Sequence, residues 1–170
     1  QFTAKAMGGT VSGKGTFDPK ASKFDLTTKV EKVNLAEYFR YKSPLLADAV
    51  AGRIDADLTL SGAGKTWEAL RPTLTGKGSA LVMEGALLKV NVMQQIVTAI
   101  QAIPMVPPGF SAPMRAKNPQ LFSENKTTFQ KVNGKVTIPD GKIQAPDLKL
   151  VTPDFALDGA GWFAFGKDMD

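Results

Sequence analysis

The feature that most constrains this chain is a period-two alternation that recurs along it and carries glycines on its apolar side. Thr127 to Phe165 reads as three antiparallel strands in a meander. Val132, Gly134, Val136 and Ile138 fall on one side of the first strand, and Asn133, Lys135 and Thr137 on the other. Asp140-Gly141 follows, a hairpin signal because both central turn positions accept positive φ. The second strand carries Ile143, Ala145, Leu148 and Leu150, with Pro146 interrupting the alternation. Thr152-Pro153-Asp154 turns the chain again. The third strand sets Phe155, Leu157, Gly159, Gly161, Phe163 and Phe165 against Ala156, Asp158, Ala160, Trp162 and Ala164. Alternation of this length specifies a sheet with one apolar and one wetter face.

The glycines repeat as a device. Gly159 and Gly161 share the apolar side of the last strand. Gly13 and Gly15 do so beside Val11 and Phe17, and Gly76 and Gly78 beside Leu74, Ala80 and Val82. Glycine pairs on one face let a sheet bend toward that face, or let a backbone or ligand approach closely. These six are read as curvature glycines.

The 170 residues fit one domain spanning 1–170, able to bury roughly 70% of its unfolded surface. The chain contains no cysteine and no histidine. Disulfides, thiolate metal sites, His-ligated zinc and Ser-His-Asp triads are therefore excluded. A net charge of +5 suits anionic surfaces such as phospholipid headgroups or nucleic acid. The lysines are scattered along alternating strands, which reads more simply as a solvated sheet face. No apolar run reaches the roughly 18 residues of a membrane span. Gln1-Phe2 begins mid-pattern and Asp168-Met169-Asp170 stops just after a strand. The expectation is a piece of a longer protein whose targeting segment lies outside this chain.

In chain order, Phe2 to Met7 and Gly9 to Phe17 form a hairpin turning at Gly8-Gly9, and Lys23 to Val33 is a long strand. Asn34 with Glu37 three residues on gives a capping signature for a short helix. Ser43-Pro44 starts a second one, ending near Gly52. Arg53 to Ser61 alternates cleanly, Thr66 to Leu70 is one helical turn closed by Pro72, and Thr73 to Met83 is the middle glycine-bearing strand. Glu84-Gly85 reads as a turn into Ala86 to Val90. Asn91 with Gln94 caps the best helix, whose stripe is Val92, Met93, Ile96, Val97, Ile100 and Ile103. Lys32-Val33-Asn34 and Lys89-Val90-Asn91 thus both end a strand and open a helix, while Lys131-Val132-Asn133 stays in strand. Pro104 to Glu124 holds five prolines and reads as irregular; with its flank, residues 104–126 form a flexible loop.

Motifs that carry chemistry are missing. Ser61-Gly62-Ala63-Gly64-Lys65-Thr66 resembles a phosphate-binding loop, yet the required first glycine is Thr59 and Pro72 breaks the helix. Gly13-Lys14-Gly15 lacks the third glycine of a dinucleotide fingerprint. Asp55 and Asp57 share a strand face, where exposed carboxylates are ordinary. Asn125-Lys126-Thr127 is a weak glycosylation sequon. Trp67, Phe110, Phe122 and Trp162 are not interleaved with a basic cluster, so nucleic-acid binding has little support. No enzyme site can be assembled, and no catalytic residue, cofactor or metal is expected.

The run from Thr128-Phe129 through Val132-Asn133-Gly134-Lys135-Val136-Thr137-Ile138-Pro139-Asp140-Gly141, Leu148-Lys149-Leu150 and Leu157-Asp158-Gly159-Ala160-Gly161 resembles the C-terminal region of the AsmA family. Gly52 to Leu60, Leu74-Thr75-Gly76-Lys77-Gly78 and Glu84-Gly85-Ala86-Leu87 are similar to it in order and spacing. The proline-rich loop and the missing membrane anchor depart from the pattern. The resemblance implies a periplasmic protein held in the inner membrane by an N-terminal helix, related more distantly to TamB. It implies a curved β-groove carrying phospholipid toward the outer membrane and affecting outer-membrane biogenesis.

The fold expected is α+β: a strongly curved antiparallel sheet with a few short capping helices. Two readings of its apolar face stand open. The helices pack on it and close a core, or they cap one end and leave a trough for acyl chains. The resemblance favours the trough, lined by Val136, Ile138, Leu148, Leu150, Leu157 and Phe163. The function expected is non-enzymatic lipid binding or transport, with phospholipid as partner and membrane proteins of the envelope as further candidates. The rival is a scaffold that aids outer-membrane protein assembly through strand-edge pairing and binds no lipid.

Overall fold

The computed structural model describes residues 1–42 and 48–164. Of the helix expected from Ser43-Pro44 to near Gly52, residues 43–47 lie outside the described residues, as does the strand end at Phe165. Val50 to Gly52 are not helix but the start of a strand, because Val50 and Ala51 pair with Leu87 and Ala86. Among the described residues there are eight strands: β1 (Phe2–Ala6), β2 (Gly9–Asp18), β3 (Lys23–Asn34), β4 (Val50–Ala63), β5 (Thr75–Leu88), β6 (Lys126–Ile138), β7 (Lys142–Val151) and β8 (Ala156–Ala164). They lie side by side in sequence order, each antiparallel to the next, in one sheet that does not close. The expectation of an α+β fold becomes mostly β. Between the strands sit α1 (Leu35–Lys42), α2 (Trp67–Leu70) with a 3₁₀ turn (Arg71–Thr73), α3 (Val92–Gln101), α4 (Ala112–Lys117) and α5 (Gln120–Ser123). None of these described helices is long and apolar enough to cross a membrane.

The register gathers the apolar positions on one side. Gly13 pairs with Thr28, Thr28 with Leu58, Leu58 with Gly78 and Gly78 with Val136. One step along, the row runs Gly15, Leu26, Leu60, Gly76, Ile138. Nearer the other end it runs Val33, Ile54, Val82, Val132, Leu150, Leu157. Side chains directly opposite across an antiparallel pair share a face, so each row is a ladder of cross-strand contacts.

Irregularities are concentrated in three places. In β3 the register shifts between Val30 and Val33, with Lys32 at φ 56° and its N–H donated to Asp55 Oδ1 at 2.7 Å. In β4 it shifts between Ala51 and Arg53, where Gly52 (φ 135°) faces Glu84 (φ 49°) and Gly85. Glu84-Gly85 is thus a bulge inside one continuous β5, not the turn its residues suggest, because β4 and β6 pair on both sides of it. The third shift lies at Pro146-Asp147 of β7, whose Oδ1 accepts the Lys135 N–H at 2.6 Å. The first hairpin turns at Met7-Gly8, φ 51° and 72°, one residue earlier than expected. Asp140-Gly141, φ 50° and 70°, turns as expected.

Both capped helices form where the repeated Lys-Val-Asn stands. Lys32 and Lys89 take positive φ (56° and 78°). Asn34 Oδ1 then accepts the Glu37 N–H at 3.2 Å, and Asn91 Oδ1 the Gln94 N–H at 2.8 Å. The Pro104–Glu124 segment is not irregular throughout. It folds into α4 and α5, with Pro113 in the first turn of α4, where its missing N–H costs nothing.

The chain exposes 11419 Å², against about 8,100 Å² for a compact protein of its mass. Among the described residues the buried apolar ones are few: Val33, Ala56, Leu74, Val97, Phe129 and Ile138. An eight-stranded sheet on which little is layered accounts for both numbers.

Candidate functional site

The apolar face is the candidate site. At one end it is capped. The backbone at Gly62 lies against Leu70 of α2, Leu74 and Phe24, close enough that a Cβ there would meet Leu70 Cδ1 at 2.8 Å. Ile138 lies nearby on Gly76 and is buried. Away from that end Leu58, Leu60, Val82, Val132 and Val136 are half-buried by cross-strand neighbours, while Val33, at the far end of the face, is buried.

The six expected lining residues therefore share a face but not an environment. Val136, Leu150 and Leu157 are half-buried, while Ile138 is 7% exposed and contributes to the capped end. Leu148 is 39% exposed and leans over Gly134. Phe163 pairs with Ile143 in β8; its side chain falls outside the described part of the chain.

The six glycines divide too, and none has positive φ. A Cβ at Gly13 would meet the Phe2 ring at 2.9 Å, at Gly76 the Leu60 side chain at 2.6 Å, and at Gly78 the Leu58 side chain at 2.7 Å. At Gly15 the obstacle is the Asp25 carbonyl at 2.8 Å. Four of the six thus make room for a neighbouring strand. Gly159 and Gly161, on the last described strand, have nothing within 4 Å. The β7–β8 side of the face is its most open part.

The other face is polar and lightly paired. Lys29 meets Glu31 at 2.8 Å, Lys149 meets Asp158 at 3.3 Å and Lys135 meets Asp147 at 3.9 Å. The hydrogen bond to Glu31 and its charge raise the Lys29 pKa. All are solvent-exposed pairs of small energetic consequence. A shallow concavity of about 610 Å³ runs past Asp55, Asp57, Ser79, Met83, Lys131 and Asn133. Asp55 spends its carboxylate on the β3 bulge, which is why an acidic residue stands there. Thr66 likewise uses its hydroxyl to accept the Ala69 N–H and cap α2. Phe129, three residues from Val132, lies on this polar side at 3% exposure, its ring against Gly85.

What this arrangement offers is apolar adhesion: a broad, part-exposed bed of aliphatic side chains. Among the described residues no group of three or more acidic side chains could hold a metal. Comparison with protein-family models, curated proteins and solved structures finds no match to this chain.

Proposed function

We propose that the apolar face is a bed for acyl chains, and that the protein is a non-enzymatic lipid-binding or lipid-transport module of a cell envelope. The observation that carries this reading is an apolar sheet face whose side chains stay largely part-exposed, open toward Leu148, Gly159 and Gly161. A sheet with one apolar face normally buries it against another element. Each methylene laid on such a bed contributes about 0.8 kcal/mol. A dozen methylenes would hold a lipid with no polar motif, and a uniform bed lets the lipid slide along the strands. The resemblance to the AsmA family agrees, and adds a periplasmic location, an inner-membrane anchor, a role in outer-membrane biogenesis and a groove curved around its cargo.

Solvent extraction and mass spectrometry of the purified protein test this. Recovered phospholipid, and uptake of a fluorescent phospholipid by the stripped protein, are the expected results. A clean extract with no uptake rejects the bed.

A scaffold reading has one observation of its own. The outer edge of β8 has no partner strand among the described residues, and its two glycines leave room for bulky side chains opposite. An extended segment of an outer-membrane protein adding there would use main-chain pairing for affinity. A clean lipid extract together with saturable binding of an alternating apolar peptide favours this scaffold.

A further inference from the structure

The segment between α3 and α4 is built as a finger. At its base Ser111, 4% exposed, accepts hydrogen bonds at Oγ from Gln101 Nε2 at 3.0 Å and Arg115 Nε at 3.4 Å. Backbone bonds brace it from within: Val106 N–H to the Ile103 carbonyl, Phe110 N–H to that of Pro107, and Ala112 N–H to that of Gly109. Three prolines, Pro104, Pro107 and Pro108, fix φ along it. The tip is apolar and bare. Met105 is 98% exposed, Ile103 56% and Phe110 42%.

Charge sorts around this finger. From Val92 to Met114 there is no charged residue, and from Gly85 to Ser123 no acidic one. The charges that do occur between Glu84 and Glu124 are all cationic: Lys89, Arg115 and Lys117. Arg115 also stacks on the Phe122 ring at 4.6 Å, holding its charge at the base. An apolar tip on a segment whose own charges are all cationic matches the two layers of an anionic membrane surface, hydrocarbon beneath and phosphate above.

We propose that Ile103–Phe110 is a membrane-docking finger that inserts Ile103, Met105 and Phe110 into the outer part of an anionic phospholipid bilayer. Arg115 and Lys117 then lie at headgroup level. This is a different surface from the acyl-chain bed, and neither requires the other.

The chain has no cysteine, so Met105→Cys carries a single environment-sensitive fluorophore. Vesicles of equal parts phosphatidylcholine and phosphatidylglycerol should shift its emission to the blue and shield it from an aqueous quencher. The same label at Lys20→Cys, in an exposed turn, should not respond. Met105→Glu combined with Phe110→Glu should weaken vesicle co-sedimentation by roughly tenfold or more, with the unfolding midpoint held, because both side chains face solvent. An unresponsive label at 105, or co-sedimentation unchanged in the double variant, overturns the finger. So does self-association that the double variant abolishes in the absence of vesicle binding, which would assign the tip to a second copy. Lipid recovered on extraction is read separately. Its loss with vesicle docking intact rejects the bed and leaves the finger; the converse rejects the finger alone.

Discussion

Side chains laid across glycines explain most of what the glycine repeat does. Leu60 covers Gly76 and Leu58 covers Gly78, so a methyl group added at either displaces a packed leucine and presses on the Thr59 or Asp57 carbonyl. Gly78→Ala should cost about 1–3 kcal/mol, as overpacking generally does. At Gly159 the same change meets nothing, and should be neutral or stabilise by up to about 1 kcal/mol through the unfolded chain. Urea midpoints of the two variants decide it; equal losses would mean the glycines share one structural role. The pairing of glycines on the apolar side was legible from alternation alone. Which glycine has a neighbour over it was not, because that depends on where bulky residues of the adjacent strand fall in register. The Gly-x-Gly pattern is identical in β2, β5 and β8, yet only β8 leaves both positions open.

Elements were legible where a local signal had no competitor. Asn91 illustrates the strongest case, since its side chain works in both directions. Oδ1 caps α3, while Nδ2 donates to the Leu121 and Glu124 carbonyls at 2.8 Å each, tying the α5 end to the α3 start. Asn34 has a cap bond to Glu37. Asn34→Ala should therefore cost about 1 kcal/mol, the usual value of a cap. Asn91→Ala should cost about 2–4 kcal/mol, adding two lost bonds at a buried position. Asn91→Asp keeps the cap but sets a carboxylate oxygen against the Leu121 and Glu124 carbonyls, so it should cost at least as much as Asn91→Ala. Thermal or urea unfolding ranks all three, and equal costs for Asn34→Ala and Asn91→Ala would refute the double role. The spacing of Asn and Gln announced the cap, but the donated bonds bridge 30 and 33 residues and left no local trace. Glu84-Gly85 misled for a related reason. A bulge and a turn use the same residues, and only the pairing of β4 and β6 on both sides distinguishes them. Prolines hid α4 and α5 similarly, since a proline in a first turn looks like a breaker until the cap before it is known.

At the scale of the molecule, the alternation gave the existence and membership of the apolar face, and could not say whether anything covers it. Coverage is a long-range property: α2 and the 3₁₀ turn reach only the end near Gly62, and that follows from chain path rather than composition. The distinction has an energetic signature. Leu148 is 39% exposed and has open space beyond Gly159, so Leu148→Asp should lower stability by no more than about 1 kcal/mol, the scale of a surface change. A carboxylate buried without a partner in a closed core would cost several kcal/mol instead. If the face is an acyl bed, the same substitution should still strip bound lipid, because it sets a charge against the hydrocarbon. Ile138→Ala provides the contrast. Its side chain is 7% exposed at the capped end, so it should lose about 2–5 kcal/mol of stability while lipid recovered per folded molecule holds. The two variants thus separate bed from core in opposite directions, read by urea unfolding and by extracted phospholipid. Were Leu148→Asp to unfold the protein, the face would be a core; were it to leave both stability and lipid untouched, the acyl chains would lie elsewhere.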